Sequence, residues 1–190
     1  DDTIAAGGRF EGGCFTWEAH AAPGHDMDAL VYFEPRHRIL VSGDALWENG
    51  MGFVWPEEGD NPAIAAAHGA LDTIARLDPA VVIPGHGAPF SDVAAAIARA
   101  RAKLDAFGAD PVKNARHAVK VLFVFALLDK GSMPAAEVRS YVARVPCYLQ
   151  LSKRFLGMDA AALADWMLAD LERGGAVAVR DGIVRPTMPA

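Results

Sequence analysis

The chain has 190 residues, 52% of them hydrophobic and 22% charged, with a net charge of −6. That composition excludes a disordered chain and leaves enough apolar material for one domain or two small ones. The longest purely apolar run, Val121 to Leu128, has eight residues against the ~20 that span a bilayer, and residues 1–110, with 7 basic and 17 acidic side chains, are too acidic to favour nucleic acid.

The opening DDTIAAGG has neither the basic nor the apolar region of a signal peptide, and it has no initiator methionine. The chain is therefore expected to be a trimmed form or the later part of a longer protein. From Cys14 to His20, Phe15, Trp17 and Ala19 alternate with Thr16, Glu18 and His20, the pattern of a half-buried strand. A Pro-Gly turn (AAPGHDMD) leads into a second strand, Ala29 to Phe33. Pro35 to Arg38 makes a polar turn, and Ile39 to Ser42 returns as a third strand, closing a hairpin. Residues 47–60 (WENGMGFVWPEEGD) show no period, which predicts a long loop.

Asn61 is a good N-cap and Pro62 suits the first helical position, so a helix follows, with Ile64, Leu71 and Ile74 on its apolar stripe and Pro79 after its end. Ala80 to Ile83 is a short, fully apolar strand that runs into PGHG. Ser91 is the expected cap of a further helix reaching about Phe107, stopped by Gly108.

Beyond a boundary placed near Gly108–Pro111 the rhythm changes. Lys113 to Leu128 and Pro134 to Val145 read as helices, and Asp159 caps a third that carries Leu163, Trp166, Met167 and Leu171 on one face. Ala176 to Arg185 forms a hairpin around Asp181-Gly182. Three helices and a hairpin resemble a winged helix-turn-helix. This part has a net charge of +4, yet its third helix carries Asp159, Asp165, Asp170 and Glu172 against Arg173 alone. A helix that reads a DNA groove needs the reverse balance, so nucleic acid is not the expected partner. A pocket cap or a homodimer contact is. Cys14 and Cys147 fall in separate parts and give no disulfide framework, which suits a reducing, cytoplasmic setting.

His25, Asp44 and His86 share one placement, each just past a strand and each beside glycine, in PGH, SGDA and PGHG. Imidazole and carboxylate are the donors of a hydrolytic zinc, manganese or iron site, and loops at strand ends aim such groups at one point. The remaining histidines suggest less. His20 faces the polar side of its strand, His37 sits in a turn, and His68 and His117 lie on helices without a partner at ligand spacing. Asp26 and Asp28 fit a solvated turn. Trp47, Phe53 and Trp55 either line a substrate pocket or pack their loop onto the core.

The segment APGHDMDALVYFEPRHRILVSGDALW resembles the third and fourth ligand motifs of the metallo-β-lactamase fold hydrolases, and VVIPGHG resembles the fifth. The likeness covers roughly residues 14–107. It implies an α/β fold, with residues 1–109 as the C-terminal half of an αββα sandwich and residues 110–190 as an appended winged-helix-like α+β module. It also implies that His25 binds a first metal, Asp44 bridges two, and His86 binds the second. Zinc is the expected ion, one or two of them, with Mn²⁺ or iron as alternatives, and the nucleophile is then a metal-held hydroxide and not a side chain. The family's His-x-His-x-Asp-His motif is absent and is expected upstream of residue 1, so the missing N-terminal half counts as a partner. The expected activity is hydrolysis of a small-molecule ester, thioester, lactone or amide. The alternatives are a phosphodiesterase or RNA-processing nuclease on the same fold, or a non-catalytic winged-helix regulatory protein.

Overall fold

The computed structural model describes residues 3–187. The chain divides into two compact units, Asp1–Asp110 and Pro111–Ala190.

The first unit is built on one five-stranded sheet in the order β1-β2-β3-β4-β5. Its strands are β1 (Arg9–Gly12), β2 (Phe15–Ala21), β3 (Leu30–Glu34), β4 (Ile39–Gly43) and β5 (Val81–Pro84). The first four meander antiparallel, whereas β5 lies parallel to β4. A parallel neighbour needs a long crossover, and helix α1 (Pro62–Leu77) supplies it. Asn61 caps α1, its side chain accepting from the Ala63 amide at 3.0 Å, and Pro62 takes a position whose N–H would have no partner in any case. Helix α2 (Val93–Ala109) follows β5, and its cap is Asp92, not Ser91: the Asp92 carboxylate accepts from the Ala95 amide at 3.3 Å. Two adjacent residues were both competent to cap, and only the backbone path selects between them.

The strand registers sort the side chains into two faces. Phe33, Leu40 and Val82 stand opposite one another across β3, β4 and β5. With Val31 they pack against Ala67, Ala70, Leu71 and Ile74 of α1 and Ala96, Ala100 and Leu104 of α2. The other face aligns Ala19, Tyr32, Val41 and Ile83 across four strands, with Ile39 beside Val81 and Phe10 beside Trp17. It is nearly as apolar, yet Phe10, Val81 and Ile83 are 38%, 37% and 40% exposed. Helices thus back one face of the sheet and leave an apolar second face partly open, which is half of a four-layered sandwich.

The second unit contains α3 (Pro111–Lys130), β6 (Met133–Pro134), α4 (Val138–Arg144), α5 (Pro146–Leu151), α6 (Ala160–Arg173), β7 (Val177–Arg180) and β8 (Ile183–Pro186). Its sheet runs β6-β8-β7, and Asp181 and Gly182 both take positive φ, as a two-residue hairpin turn with a right-handed strand twist requires. The single helix expected over 134–145 is instead a strand, one 3₁₀ turn (Ala135–Glu137) and α4. Helix α5 and a π-helical turn, Ser152–Leu156, are additional. Asp159 caps α6 through the Ala162 amide at 2.8 Å. The core is formed by Phe123, Leu127, Tyr148, Leu151, Leu163 and Met167.

Cys14 and Cys147 are free thiols. Among the described residues, no helix is long and apolar enough to cross a membrane.

Candidate functional site

Three loops bring the candidate residues to one end of the sheet. His25 lies in the turn between β2 and β3, Asp44 directly after β4, and His86 two residues past β5. Because β4 and β5 are parallel neighbours, their C-terminal ends are side by side, and the Gly85 amide donates to the Gly43 carbonyl at 2.8 Å.

The Asp44 carboxylate stands between the two imidazoles. His25 Nε2 is 3.5 Å from Asp44 Oδ2, and His86 Nε2 is 3.7 Å from Asp44 Oδ1. A charge-assisted hydrogen bond would close to ~2.8 Å. Two ligand atoms of one tetrahedral ion, each ~2.0–2.2 Å from it, stand about 3.3–3.6 Å apart. Both separations exceed a hydrogen bond; the 3.5 Å pair falls in the second range and the 3.7 Å pair just beyond it. The three residues meet as two pairs sharing Asp44, and among the described residues no group of three or more His, Cys, Asp or Glu side chains could by itself hold a metal ion. Each pair brings one imidazole nitrogen and one carboxylate oxygen together, the donor types of divalent-metal sites.

The surroundings fix these groups. His25 Nδ1 lies 2.6 Å from the Phe53 carbonyl oxygen, a group that can only accept, so Nδ1 carries a proton and Nε2 is the nitrogen that faces Asp44. Trp47 donates its indole N–H to Asp44 Oδ1 at 3.1 Å and to the Gly43 carbonyl at 3.2 Å. Its ring meets His86 edge-on at 5.1 Å, as Phe53 meets His25 at 5.3 Å. Two glycines make the close approach possible. A Cβ at Gly52 would fall 2.8 Å from His25 Cγ and 2.9 Å from Asp44 Cβ, and one at Gly85 would fall 2.9 Å from Asp44 Oδ1. Gly24, in the first motif, does something else: it makes room for Ala67 of α1.

The long loop is held down by its aliphatic side chains. Leu46, Met51 and Val54 are buried and pin it to the core, which frees Trp47 and Phe53 to contact the imidazoles, while Trp55 is exposed and touches Phe53. Helix α2 clamps the loop from outside: Arg99 donates to the Glu48 carbonyl at 2.8 Å, and Lys103 Nζ is 3.5 Å from the Met51 carbonyl, against the Phe107 ring. Burial holds the Lys103 ammonium below the usual lysine range.

The other histidines have contacts of their own. His37 Nδ1 is 2.9 Å from Glu34 Oε2 within the turn, and His68 Nε2 is 3.2 Å from Asp105, joining α1 to α2. His20 Nε2 is buried without a hydrogen bond, 3.6 Å from Glu18. Asp26 accepts from the Asp28 amide, closing the turn that carries His25. The sequence pointed to the three ligand-type residues but not to the Trp47 N–H, Gly52 or the Phe53 carbonyl. The glycine pair in WENGMGF was the available signal.

The family pattern of the Metallo-beta-lactamase superfamily matches residues 1–86. A probable metallo-hydrolase of Bacillus subtilis (strain 168) is 30% identical over 86 residues, which is 43% of this chain and 27% of that protein. The crystal structure of a beta-lactamase domain protein from Burkholderia ambifaria superposes with a TM-score of 0.51 at 23% identity, covering 97% of this chain and 51% of that one. A metallo-beta-lactamase family protein from Thermus thermophilus gives 0.43 at 22% identity, over 96% and 53%. The chain therefore spans about half the length of those two structures, and at 23% identity the likeness to the Burkholderia ambifaria structure speaks for the fold and not for a substrate.

Proposed function

Because residues 1–86 match the pattern of the metallo-β-lactamase superfamily, a group of hydrolase-like proteins that bind divalent metals, we propose that the chain is part of such a protein and that the complete protein is a metal-dependent hydrolase of a small ester, thioester, lactone or amide. The observation that supports this reading is the shared carboxylate: His25 and His86 approach opposite oxygens of Asp44 at 3.5 and 3.7 Å. In this reading His25 and Asp44 hold one ion, Asp44 and His86 a second, and zinc is the proposed metal. Such an ion, when bound, lowers the pKa of a coordinated water and polarises the substrate's carbonyl oxygen. The chain's own residues orient the donors: Phe53 through His25, Trp47 through Asp44. Phe53, Trp47 and the exposed Trp55 offer aromatic surface beside them for the apolar part of a substrate.

The remaining ligands belong, in this proposal, to a segment carrying the His-x-His-x-Asp-His motif, whose sheet covers the open face at Phe10, Val81 and Ile83. Residues 111–190 act as a winged-helix-like module that joins two copies. Its acidic helix α6 supports a role other than reading nucleic acid, because Asp165 pairs with Arg139 of α4 and Asp170 with Lys120 of α3.

The test is to combine the chain with a polypeptide carrying that motif, then measure bound metal and turnover of thioester, lactone and phosphodiester substrates. Metal retention with thioester or lactone turnover, lost in Asp44→Ala, is the expected result. Turnover of phosphodiester alone would move the reading to a nuclease, and neither metal nor turnover would favour a regulatory protein.

A further inference from the structure

A carboxylate that serves two cations must present one oxygen to each, yet the terminal torsion of an aspartate is broad and about two-fold. Something has to hold it. The Asp44 side chain is about one-third exposed, so water competes for both oxygens. Among the described residues, the Trp47 indole N–H donates to this carboxylate, 3.1 Å from Oδ1. The same N–H reaches the Gly43 carbonyl at 3.2 Å, which ties the carboxylate to the end of β4. The indole itself is fixed at both ends. The Trp47 amide donates to the Gly50 carbonyl at 2.7 Å, closing a tight turn, and the ring lies edge-to-face with His86 at 5.1 Å and 82°.

From this geometry we propose that Trp47 is the positioning residue of the site: its N–H sets the rotation of the Asp44 carboxylate while its ring seats the His86 imidazole. The inference rests on the reading of His25, Asp44 and His86 as metal ligands. An indole N–H is a donor only. It occupies one lone pair of Oδ1, leaves that oxygen a second for another partner, and cannot itself bind a cation. Histidine, asparagine or lysine at this position would bring a competing lone pair, a second donor or a second charge. Because the donor sits on the carboxylate that takes the ion, Trp47 also reports occupancy of the site.

The test combines the 190-residue chain with a polypeptide carrying the His-x-His-x-Asp-His motif and titrates it with Zn²⁺ and, separately, Mn²⁺, following heat and indole emission together. The proteins are wild type, Asp44→Ala, Trp47→Phe and Trp166→Phe. Wild type should bind more tightly than Asp44→Ala. Trp47→Phe, which keeps a ring and loses the N–H, should bind zinc about tenfold more weakly, and the metal-induced emission change should vanish in it and persist in Trp166→Phe. If Trp47→Phe binds within about twofold of wild type while Asp44→Ala is weaker, the positioning role is overturned and the metal site stands. Equal binding by wild type and Asp44→Ala overturns the site itself. Should Trp47→Phe fail to fold, the ¹⁵N-labelled wild type decides. The chain has four tryptophans, and the indole resonance that survives Trp17→Phe, Trp55→Phe and Trp166→Phe belongs to Trp47. It should move when zinc is added and stay fixed in Asp44→Ala. A stationary resonance in a chain that binds zinc overturns the proposal.

Discussion

His25 Nδ1 lies 2.6 Å from the carbonyl oxygen of Phe53, so a backbone group in the loop after β4 decides which nitrogen of a histidine before β3 is left to act as a donor. The expected state at a pH above the histidine titration is the Nδ1–H tautomer, with Nε2 unprotonated. Long-range ¹⁵N–¹H spectra of the histidine rings check this directly. On adding zinc the Nε2 resonance of His25 should shift more than Nδ1, and finding the proton on Nε2 instead would remove His25 from the donor set.

Gly52 is wedged between the two donors. In Gly52→Ala the new Cβ would fall 2.8 Å from His25 Cγ, closer than real contacts allow, so the loop or the imidazole must shift at a cost of about 1–3 kcal/mol. Gly69 is the contrast. It sits on α1, where an added Cβ would meet nothing within 4 Å, and Gly69→Ala should stabilise by about 0.5–1 kcal/mol through helix propensity. Thermal melts with zinc titrations should show the first variant losing both stability and affinity and the second losing neither. The opposite ranking would mean that the close approach at Gly52 is not required.

The sequence carried the sheet and the ligand-type residues because both leave local signals. Strands β2, β3 and β4 alternate or run apolar between turn residues, and His25, Asp44 and His86 each hang on a glycine-flanked strand end. Strand β1 was missed because Arg9, Phe10 and Glu11 are all exposed at the sheet edge, so no burial period marks it. Helix α5 was missed because six residues are too few to show a helical period. The Trp47–Asp44 hydrogen bond depends on how an aperiodic loop folds back over β4, and that path is set by Leu46, Met51 and Val54 reaching the core. No spacing rule along the chain encodes it.

Lys103 makes a pH signature. Burial lowers its folded pKa below the 10.5 of a free lysine, so between the two values the unfolded chain binds more protons than the folded one. Stability from this group therefore rises with pH across that window and is lost below it. Lys103→Met should melt higher than wild type near neutrality, with a gap that closes as pH climbs toward 10.5. Melting curves over that range test it, and a gap independent of pH would show that the ammonium is not desolvated.

Helix α6 spends its acidic residues inside its own unit. Asp165 accepts from Arg139 through both oxygens at 2.7 and 2.6 Å. Asp170 accepts from Lys120 at 2.6 Å and also pairs with Arg173. Hydrogen bonds from these cations lower both carboxyl pKa values, so their contribution is present above the ordinary value near 3.8 and is lost as pH falls through the folded one. Asp170→Asn should unfold at a higher pH than wild type in an acid titration followed by circular dichroism. The same pairing engages Lys120 and Arg139, so duplex DNA should bind weakly and without sequence preference. A salt-sensitive, sequence-selective interaction in an anisotropy titration would contradict that.

The two faces of the sheet separate three successive residues of β5 sharply. Val82 is fully buried against the helices, whereas Val81 and Ile83, one residue to either side, are 37% and 40% exposed on the opposite face. If that face is where a second sheet layer docks, the isolated chain should bind a hydrophobic dye and self-associate, since exposed apolar sheet surface of this kind is an association site. Ile83→Lys should lower dye binding and self-association with little loss of melting temperature. Val82→Lys should unfold the unit, because a charge would be buried without a partner. The isolated chain should also show little or no hydrolysis of thioester or lactam substrates with zinc or manganese, since each ion would have only two protein donors. Adding a polypeptide that carries the His-x-His-x-Asp-His motif should suppress dye binding, raise zinc affinity and bring turnover, all three together. Ile83→Lys should block the three together as well, while His25→Ala should abolish turnover and leave the suppression of dye binding intact. Turnover by the isolated chain that survives Asp44→Ala would place the active site elsewhere.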